Sequence, residues 1–560
     1  MKFNSLNRFI SILLAAALTV CLLAGIGVAN GSIYVNGSAN TLSQSLAETY
    51  AIGGNGSVEK LGTDSVYAMT GTGLQQITDG QSGFDPSDVT VTEAPLGGTI
   101  PIKNSTVKIG LQYKTASYNT SVDYATLTNY AGSGFRFGYY DGSRTFHELG
   151  STAEKSITML RDTNVTIGSN TIGCYHIRLS GTYASFSEAQ NAASQYSDGF
   201  PAYYSGSFYV LLGGYQSKTE AEAALSSRGV SGEAYSASSR CVVVAAAGQD
   251  RILFEYDCGT SSNLGIEPVS TGGAAVTSLS TTGFRYYGGF EFLRYSGEGL
   301  TVISVVNVED YVKGVIPYEM SSSWPIETLK AGAIAARNYV QYNYGKYAAY
   351  GFDIVNDAKD QVYRGLNAAS ATTDRACDET RNQYMTYNGT LCCAYYFSSD
   401  GGATESTENV WVAALGYCRG KIDPFEAALS SGVMRWSKDF TAVAMGEKLG
   451  LGKVTNVECT YSPSGNMIGV GITDESGKTL SFTKSGCITL LSKLGFSYTS
   501  MHYTITHNEE EDTYRVSGAG WGHNIGMSQW GAYSMAKNYG YNYREILGFY
   551  YTGVAISQGA

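Results

Sequence analysis

The sequence predicts an α+β protein: a β-rich domain, discontinuous along the chain, that carries helices around one loop and is interrupted by a small split βαβ module. Strand-like alternation lies on both sides of residues 172–245. Within 172–245 a strand-then-helix unit occurs twice, and helical spacing follows residue 307. The predicted organisation is an export segment or anchor at 1–29, a Ser/Gly-rich leader at 30–100, the first part of the β-rich domain at 101–168, the inserted module at 172–245 and the main part at 248–560.

The N-terminal residues have the pattern of an export signal. Lys2 and Arg8 precede an uncharged apolar run at 9–29, and small residues at 27–29 suit a signal peptidase. Two interpretations remain open, a signal peptide cleaved near Ala29 and an anchor retained in the membrane, because about twenty apolar residues can span a bilayer. Both place the rest of the chain outside the cytoplasm, on the outer face of the cytoplasmic membrane or beyond it.

Composition and charge narrow the class of partner. A net charge of −11 with 37 basic residues argues against nucleic acid, whose phosphates attract clusters of Lys and Arg. The 44 Tyr and 68 Gly suit loop-rich surfaces that stack on sugar rings, although an ordinary β-rich secreted protein has a similar composition. Apart from Cys21, the cysteines are odd in number and irregularly spaced, and the five histidines are remote from one another. We therefore expect no disulfide framework, no metal and no other cofactor.

The β-rich domain is predicted from alternating segments on both sides of the module. Such segments occur at 106–113 and 134–140 and return at 251–255, 290–293 and 300–306. The simplest arrangement is one domain with the module inserted into a loop, where insertions are tolerated best.

The inserted module is predicted from an internal repeat. A strand at 175–179 leads to a Ser-x-x-Glu helix start at 185–188, and the same order returns at 209–212 and 217–220. Each Ser-x-x-Glu matches the capping box, in which both side chains bind free N–H groups of the first turn. A last strand at 241–245 would complete a small sheet with two helices on one face.

This module resembles the SPOR domain, the sporulation-related repeat, in its two strand–helix units, its Gly/Tyr turns and its helix starts. The resemblance implies binding to peptidoglycan glycan strands stripped of their stem peptides, across the open face of the sheet. An unrelated module of the same ferredoxin-like topology is the alternative.

Two helices are predicted around Glu319. Asn307 is a good N-cap for a short helix that ends near Gly314, and Pro325 begins a second helix that ends near Gly345. Glu319 would then lie in the connection between the helices.

The neighbours of Glu319 suggest its chemistry. Pro317, Tyr318, Met320 and Trp324 surround it in sequence. Apolar neighbours remove water from a carboxyl and raise its pKa, which keeps the group protonated for general-acid catalysis. The alternative is a solvated loop carboxylate that stays ionised.

The same region resembles the stage II sporulation protein D family. The resemblance rests on segments in the family's order, at 306–315, 319–320, 329–331, 333–337, 361–363, 398–404 and 518–531. It implies a lytic transglycosylase that cuts stripped glycan strands to 1,6-anhydro-N-acetylmuramic ends during sporulation and engulfment, with Glu319 as the catalytic residue and a wall amidase as partner. Two alternatives stay open, a non-catalytic amidase enhancer and a glycan-binding wall protein.

Further substrate contacts are expected from the same segments. Lys330 and Arg337 share one helix face and suit either the lactyl carboxylate of muramic acid or a structural ion pair. Other turn and loop residues either contact sugar hydroxyls or only shape tight turns and packing beneath Glu319. The full predicted set is Lys330, Arg337, Gln361, Tyr363, Ser398, Ser399, Gly401, Gly402, Thr404, His523 and Gln529.

Four residues depart from the family pattern. Phe397 stands where a His often precedes the Ser-rich run, and Gly332, Asn338 and Asn524 replace a usual Gln, Thr and Gly. The first departure weakens the expectation of zinc near that run. None of them affects Glu319.

Overall fold

The computed structural model describes residues 89–560 except 131, 273 and 430–433, together with Pro86 and five short strands between residues 33 and 76. The predicted export segment and most of the predicted leader therefore lie outside the described residues. Within the described part of the chain, no helix combines the length and apolar character needed to cross a membrane.

The helices, numbered in chain order over the described residues, are α1 (Phe186–Ala193), α2 (Lys218–Arg228), α3 (Val308–Glu319), α4 (Ile326–Tyr342), α5 (Ala371–Glu379), α6 (Thr407–Val410), α7 (Pro424–Ala427), α8 (Ala442–Leu449), α9 (Gly486–Leu494), α10 (Gln529–Tyr539) and α11 (Tyr543–Tyr550). The strands are β1 (Ile33–Tyr34), β2 (Thr49–Ile52), β3 (Val58–Gly62), β4 (Tyr67–Thr70), β5 (Gly73–Gln76), β6 (Leu96–Ile100), β7 (Thr106–Gln112), β8 (Tyr124–Asn129), β9 (Phe135–Tyr140), β10 (Phe146–Thr152), β11 (Ser156–Arg161), β12 (Val165–Ile167), β13 (Asn170–Ile172), β14 (Tyr175–Leu179), β15 (Gly199–Tyr204), β16 (Ser207–Tyr215), β17 (Gly232–Tyr235), β18 (Val242–Ala246), β19 (Ile252–Asp257), β20 (Leu264–Pro268), β21 (Val276–Leu279), β22 (Phe284–Tyr287), β23 (Gly289–Arg294), β24 (Leu300–Asn307), β25 (Ile354–Val355), β26 (Gln383–Tyr387), β27 (Thr390–Leu391), β28 (Tyr396–Phe397), β29 (Arg435–Thr441), β30 (Val454–Tyr461), β31 (Met467–Asp474), β32 (Thr479–Thr483), β33 (Tyr503–Asn508), β34 (Thr513–Ala519), β35 (Met527–Ser528) and β36 (Val554–Gly559).

The mixture of sheets and helices agrees with the predicted α+β class. The chain forms two compact units, of which the first holds residues 94–394, 541–545 and 553–560 and the second holds 395–540 and 546–552. The first unit contains sheets in the strand orders β17-β14-β16-β15-β19-β18-β11-β8-β21-β22, β10-β9-β20-β23-β24-β7-β25 and β27-β26-β36-β6. The second contains β29-β34-β33, β30-β31-β32 and β28-β35.

The region predicted as a module has the element order β14-α1-β15-β16-α2-β17, which is that of a split βαβ fold. Its last strand was assigned wrongly from the sequence. The strand that pairs with β14 is β17, whereas β18 pairs with β11 and β19. Because β15 also pairs with β19 in parallel, the sheet continues without a break into the surrounding strands.

The helix starts of this region follow the predicted capping pattern with one difference. The hydroxyl oxygens of Ser185 and Ser217 each accept a hydrogen bond at 3.2 Å, from the backbone N–H groups of Glu188 and Glu220. The Glu carboxylates accept from the N–H groups of the residues just before each serine, at 3.1 and 2.9 Å. Both devices satisfy N–H groups at the helix start.

The helix before Glu319 is longer than predicted. Asn307 caps α3 by accepting from the N–H of Glu309 at 2.9 Å, as expected. The helix does not stop near Gly314 but continues through Pro317, so Glu319 is its last residue rather than part of a connecting loop. Gly314 serves packing, since a Cβ there would lie 2.5 Å from the ring of Tyr363.

This packing predicts the effect of Gly314→Ala. Although Ala favours helix, its methyl group would overlap the Tyr363 ring and should lower the free energy of unfolding by about 1–3 kcal/mol. Thermal denaturation measures the loss. Gly98→Ala in β6 is the matched control, because its added Cβ meets nothing within 4 Å. Equal melting temperatures for the two variants would contradict this account of Gly314.

Candidate active site

Glu319 is half-buried at the C-terminal end of α3. The backbone N–H of Val362 donates a hydrogen bond to Glu319 Oε1 at 2.8 Å. The carboxyl is therefore oriented by a backbone donor from a different segment of the first unit. A group held in this way loses little conformational freedom when it meets a substrate.

Gln361 and Tyr363 flank that backbone donor, and each is only 1% exposed. The hydroxyl of Tyr311 donates to Gln361 Oε1 at 3.0 Å, and the Tyr363 ring lies 4.9 Å from the Tyr311 ring. Burial leaves neither side chain a surface for the substrate contact predicted from the sequence. Both residues instead fix the segment that presents the Val362 N–H to Glu319.

Arg337 is completely buried and forms an ion pair with Glu309, near the start of α3. Its Nη2 lies 2.7 Å from Glu309 Oε2, and its Nε lies 3.0 Å from Oε1. The guanidinium also donates to the backbone carbonyls of Ala333, Gln383 and Cys377. Of the two roles predicted for Arg337, the structure shows the structural ion pair.

Lys330 is also held in ion pairs. Its Nζ lies 2.8 Å from a carboxylate oxygen of Glu327 and 2.6 Å from one of Glu379. Its side chain is 14% exposed. A substrate carboxylate would have to compete with both partners for the Lys330 ammonium group. The two ion pairs link Lys330 of α4 to Glu327 and Glu379.

Two residues that depart from the family pattern fit their surroundings on α4. A Cβ at position 332 would lie 2.7 Å from the Met320 sulfur, so Gly332 makes room for that side chain. Asn338 is buried and donates to the carbonyls of Met385 at 2.7 Å and Cys392 at 3.1 Å. These contacts join α4 to the segment around β26.

The remaining predicted residues lie in the second unit, where the structure brings two of the sequence motifs together. The backbones of Ser399 and Trp521 exchange hydrogen bonds of 3.1 and 2.8 Å. The N–H of Trp530 donates to the carbonyl of Ser398 at 3.1 Å. The Ser-rich turn at 398–404 therefore packs directly on the Gly-rich segment at 518–531.

A buried carboxylate organises the turn. Glu426 accepts from the Ser399 hydroxyl and from the N–H groups of Asp400 at 3.0 Å and Gly401 at 3.1 Å. Gly401 and Gly402 have φ of 75° and 127°, values that other residues rarely adopt. This is the predicted tight turn, and the hydroxyl of Ser399 is used inside the protein.

Thr404 and Gln529 are buried at 2% and 8% exposure. Thr404 Oγ1 accepts from the Lys421 N–H at 3.0 Å, and Gln529 is the first residue of α10. Of the predicted turn residues, only Ser398 is half-buried rather than buried. It is the one that keeps surface for a ligand.

His523 lies among aromatic rings, with ring centroids 5.2 Å from those of Phe397 and Trp411. Burial lowers its pKa to about 4, so the imidazole is neutral at physiological pH. Its Nδ1 accepts from the Ile525 N–H at 3.1 Å. Phe397, the residue that replaces a usual His, thus packs against His523.

Asn524 replaces a usual Gly because it can adopt the same backbone conformation and add hydrogen bonds. Its φ is 60°, in the left-handed region that Asn tolerates better than most residues. Its side-chain amide donates to the carbonyls of Asp400 and Ala403 at 3.0 Å each and accepts from the Met501 N–H at 2.8 Å.

An exposed aromatic pair beside this segment was not predicted from the sequence. Trp521 is 44% exposed and Tyr498 is 47% exposed, and their ring centroids are 5.1 Å apart. Exposed aromatic faces can stack on the apolar faces of sugar rings. Trp521 stands inside the Gly-rich motif, which was the available signal, but its exposure could not be judged from the sequence.

Comparisons with known proteins identify relatives of the chain. A family model described as Stage II sporulation protein matches residues 296–387. The chain is 35% identical over 287 residues to an uncharacterised protein of Brachyspira hyodysenteriae, and this match spans 50% of this chain and 74% of that protein. It is 30% identical over 276 residues to the Stage II sporulation protein D of Bacillus subtilis, and this match spans 46% of this chain and 76% of that protein. The amidase enhancer of the same bacterium is 29% identical over 299 residues, or 44% of this chain and 40% of that protein.

The buried ion pair predicts a large effect of Arg337→Met. The change leaves Glu309 charged and buried without its partner, which should cost about 3–5 kcal/mol of unfolding free energy in urea titrations. Adding Glu309→Gln should recover part of the loss. Arg375→Met is the control, because Arg375 is 60% exposed and should change stability by less than about 0.5 kcal/mol. If Arg337→Met lowers the unfolding free energy as little as the control does, Arg337 has no structural role.

The acidic cluster under the turn predicts a pH-dependent effect of Asp423→Asn. Burial and the neighbouring Glu426 raise the pKa of Asp423 from 3.8 to about 6. Its contribution to stability is therefore complete below pH 3.8 and is lost as pH rises through about 6. Asn cannot ionise and still accepts from the N–H groups of α7, so the variant should melt above the wild type at pH 8.

The difference in melting temperature between Asp423→Asn and the wild type should shrink as pH falls toward 4, and differential scanning calorimetry measures it. Asp439→Asn is the matched control in the same unit, because the hydrogen bond from Arg515 lowers the pKa of Asp439. It should not melt above the wild type at pH 8. A pH-independent difference for Asp423→Asn would show that ionisation of this carboxyl does not limit stability.

Proposed function

Because the chain belongs to the stage II sporulation protein D family, we propose that it is a wall-modifying enzyme of sporulating cells, specifically a peptidoglycan lytic transglycosylase. Its substrate would be glycan strands that lack stem peptides. The observation that carries the proposal is the carboxyl of Glu319, half-buried at the end of α3 and oriented by the Val362 N–H at 2.8 Å.

A single carboxyl suffices for this reaction. The N–H donor at Oε1 directs the acidic proton to Oε2 of Glu319, which transfers it to the glycosidic oxygen as the bond from that oxygen to C1 of N-acetylmuramic acid breaks. The C6 hydroxyl oxygen of the same sugar bonds to C1, and its proton passes to Glu319. The products are a 1,6-anhydro end and a new 4-hydroxyl end, and no water is consumed. The tethered nucleophile replaces the second carboxylate of ordinary glycosidases.

The second unit supplies groups suited to holding a glycan. Trp521 and Tyr498 form an exposed aromatic pair, and Ser398 lies on the adjoining turn. Stacking on the pair would bind the apolar faces of the sugar rings. Such short-range contacts do not require a basic surface, which suits a protein with a net charge of −11.

The split βαβ region is proposed to act as a SPOR domain. Phe208 points toward α1, where it meets Phe186, so its strand neighbour Tyr209 points to the opposite face. There the Arg178 guanidinium lies 5.2 Å from the Tyr209 ring and 4.1 Å from the Tyr235 ring. Such a face would bind stripped glycan and raise the local concentration of strands for the reaction.

A non-catalytic role is the second candidate, and one comparison favours it. A relative at 29% identity bears the name amidase enhancer. In this case the chain would bind glycan at the wall and stimulate an amidase that removes stem peptides. Both candidates place the protein outside the cytoplasm at the cell wall, and they differ in whether Glu319 transfers a proton.

The Glu319→Gln variant separates the two. Purified stripped glycan should yield 1,6-anhydro-muramic ends with wild-type protein, detected by mass spectrometry, and the variant should reduce their rate by at least about a hundredfold because the proton donor is lost. Glu298→Gln, which changes a carboxyl that is 48% exposed in the same unit, should cleave at the wild-type rate.

The other outcomes are equally informative. Reducing ends in place of anhydro ends would show hydrolysis and contradict the intramolecular attack. No cleavage by the wild type, together with undiminished stimulation of an amidase by Glu319→Gln, would select the enhancer role.

A further inference from the structure

A second cluster of ionisable side chains lies in the first unit, among residues that the proposed function does not use. Asp162 follows β11, His176 lies in β14 and Glu255 lies in β19. His176 and Glu255 are fully buried and Asp162 is 7% exposed. One ligand atom from each residue lies within 4.8 Å of the other two.

The atoms that face one another lack hydrogen-bond partners. Both carboxylate oxygens of Asp162, Nε2 of His176 and Oε2 of Glu255 are buried without one. A buried polar atom without a partner costs roughly 1–3 kcal/mol, and more if it is charged. Four such atoms at one place indicate a missing positive charge rather than a packing fault.

The imidazole is oriented as a ligand. His176 Nδ1 lies 2.6 Å from the carbonyl oxygen of Gly213, an acceptor, so Nδ1 carries the proton and Nε2 presents its lone pair. That lone pair faces Glu255 Oε2 at 3.6 Å, an arrangement that is repulsive unless a cation or a proton lies between them. A hydrogen bond from the far ring nitrogen to a carbonyl is the usual support of a metal-bound histidine.

The other oxygen of Glu255 is also held. The Cys241 thiol donates to Glu255 Oε1 at 3.1 Å, which leaves Oε2 to face the cluster. The Arg294 guanidinium donates to the backbone carbonyls of Asp162 and Cys241, each at 3.4 Å. The guanidinium therefore bonds backbone carbonyls and leaves both carboxylate oxygens of Asp162 without a hydrogen bond.

We propose that Asp162, His176 and Glu255 bind a divalent transition-metal cation, for which Zn²⁺ is the probe. Two carboxylates and one imidazole are a nitrogen and oxygen donor set that Zn²⁺ accepts at about 2.0–2.2 Å, so the side chains need to close slightly on the ion. The ligands come from β14 of the split βαβ region, from β19 of the surrounding sheet and from the residue that follows β11. The ion therefore joins the two and stabilises their shared sheet.

The test uses the full chain produced with Zn²⁺ in the medium and freed of loosely bound metal by gel filtration. Elemental analysis should find about one zinc ion per chain, and thermal unfolding should occur at a higher temperature with zinc than after removal by a chelator during refolding. His176→Gln should retain at least about tenfold less zinc. His147→Gln is the matched control, because His147 pairs with Asp141 in the same unit but is 45% exposed and outside the cluster.

X-ray absorption spectroscopy on the zinc-loaded wild type covers the case in which His176→Gln does not fold. It should show a first shell of oxygen and nitrogen with the scattering pattern of one imidazole. A sulfur shell, a wild type without bound zinc, manganese, iron or cobalt, or a folded His176→Gln that keeps its zinc would each overturn the proposal.

Discussion

The ion pair between Glu309 and Arg337 is the constraint on which the region around Glu319 depends. It joins the first turn of α3 to the buried face of α4, and Glu309 Oε1 also accepts from the Asn382 N–H at 2.9 Å. Arg337 extends the link to the carbonyls of Cys377 and Gln383. A buried ion pair adds little net stability compared with an apolar replacement, but it fixes a geometry once both charges are present. Because α3 is held at its first turn, its last residue is held as well.

Most motif residues in both units are buried and fix the backbone around them. Gln361 and Tyr363 are buried around the backbone donor to Glu319, and Ser399 and Thr404 are buried around the turn that Glu426 organises. In both places backbone N–H groups donate to a carboxylate. Such groups are suited to this task, because a rigid backbone donor needs no reorganisation when charge develops on its partner.

Features set by local periodicity and capping could be predicted from the sequence. The segment predicted at 106–113 is β7, and the Asn307 cap and the serine caps of α1 and α2 form as expected. The end of α3 could not be predicted, because Gly314 and Pro317 are helix breakers by local rules. The packing of Tyr363 shows that position 314 is glycine for lack of space, which the sequence does not reveal.

Contacts between residues that are distant in sequence could not be predicted from local sequence patterns. Arg337 and Glu309 are distant in sequence, so the choice between substrate contact and ion pair needed the fold. The same holds for β18, whose apolar run is equally good as an edge of the module or as a central strand between β11 and β19. The Asp162, His176 and Glu255 cluster was missed for a related reason, since three strands bring together residues that show no ligand spacing along the chain.

The central claim is that Glu319 meets the scissile bond directly. A crystal structure of the Glu319→Gln variant with a stripped glycan tetrasaccharide measures this contact. The account predicts the side-chain amide of residue 319 about 2.6–3.2 Å from a glycosidic oxygen, with the C6 hydroxyl of muramic acid on the side of its own C1. A glycan bound only at the Tyr209 and Tyr235 face or at the Trp521 and Tyr498 pair, with residue 319 out of reach of every glycosidic oxygen, would contradict it.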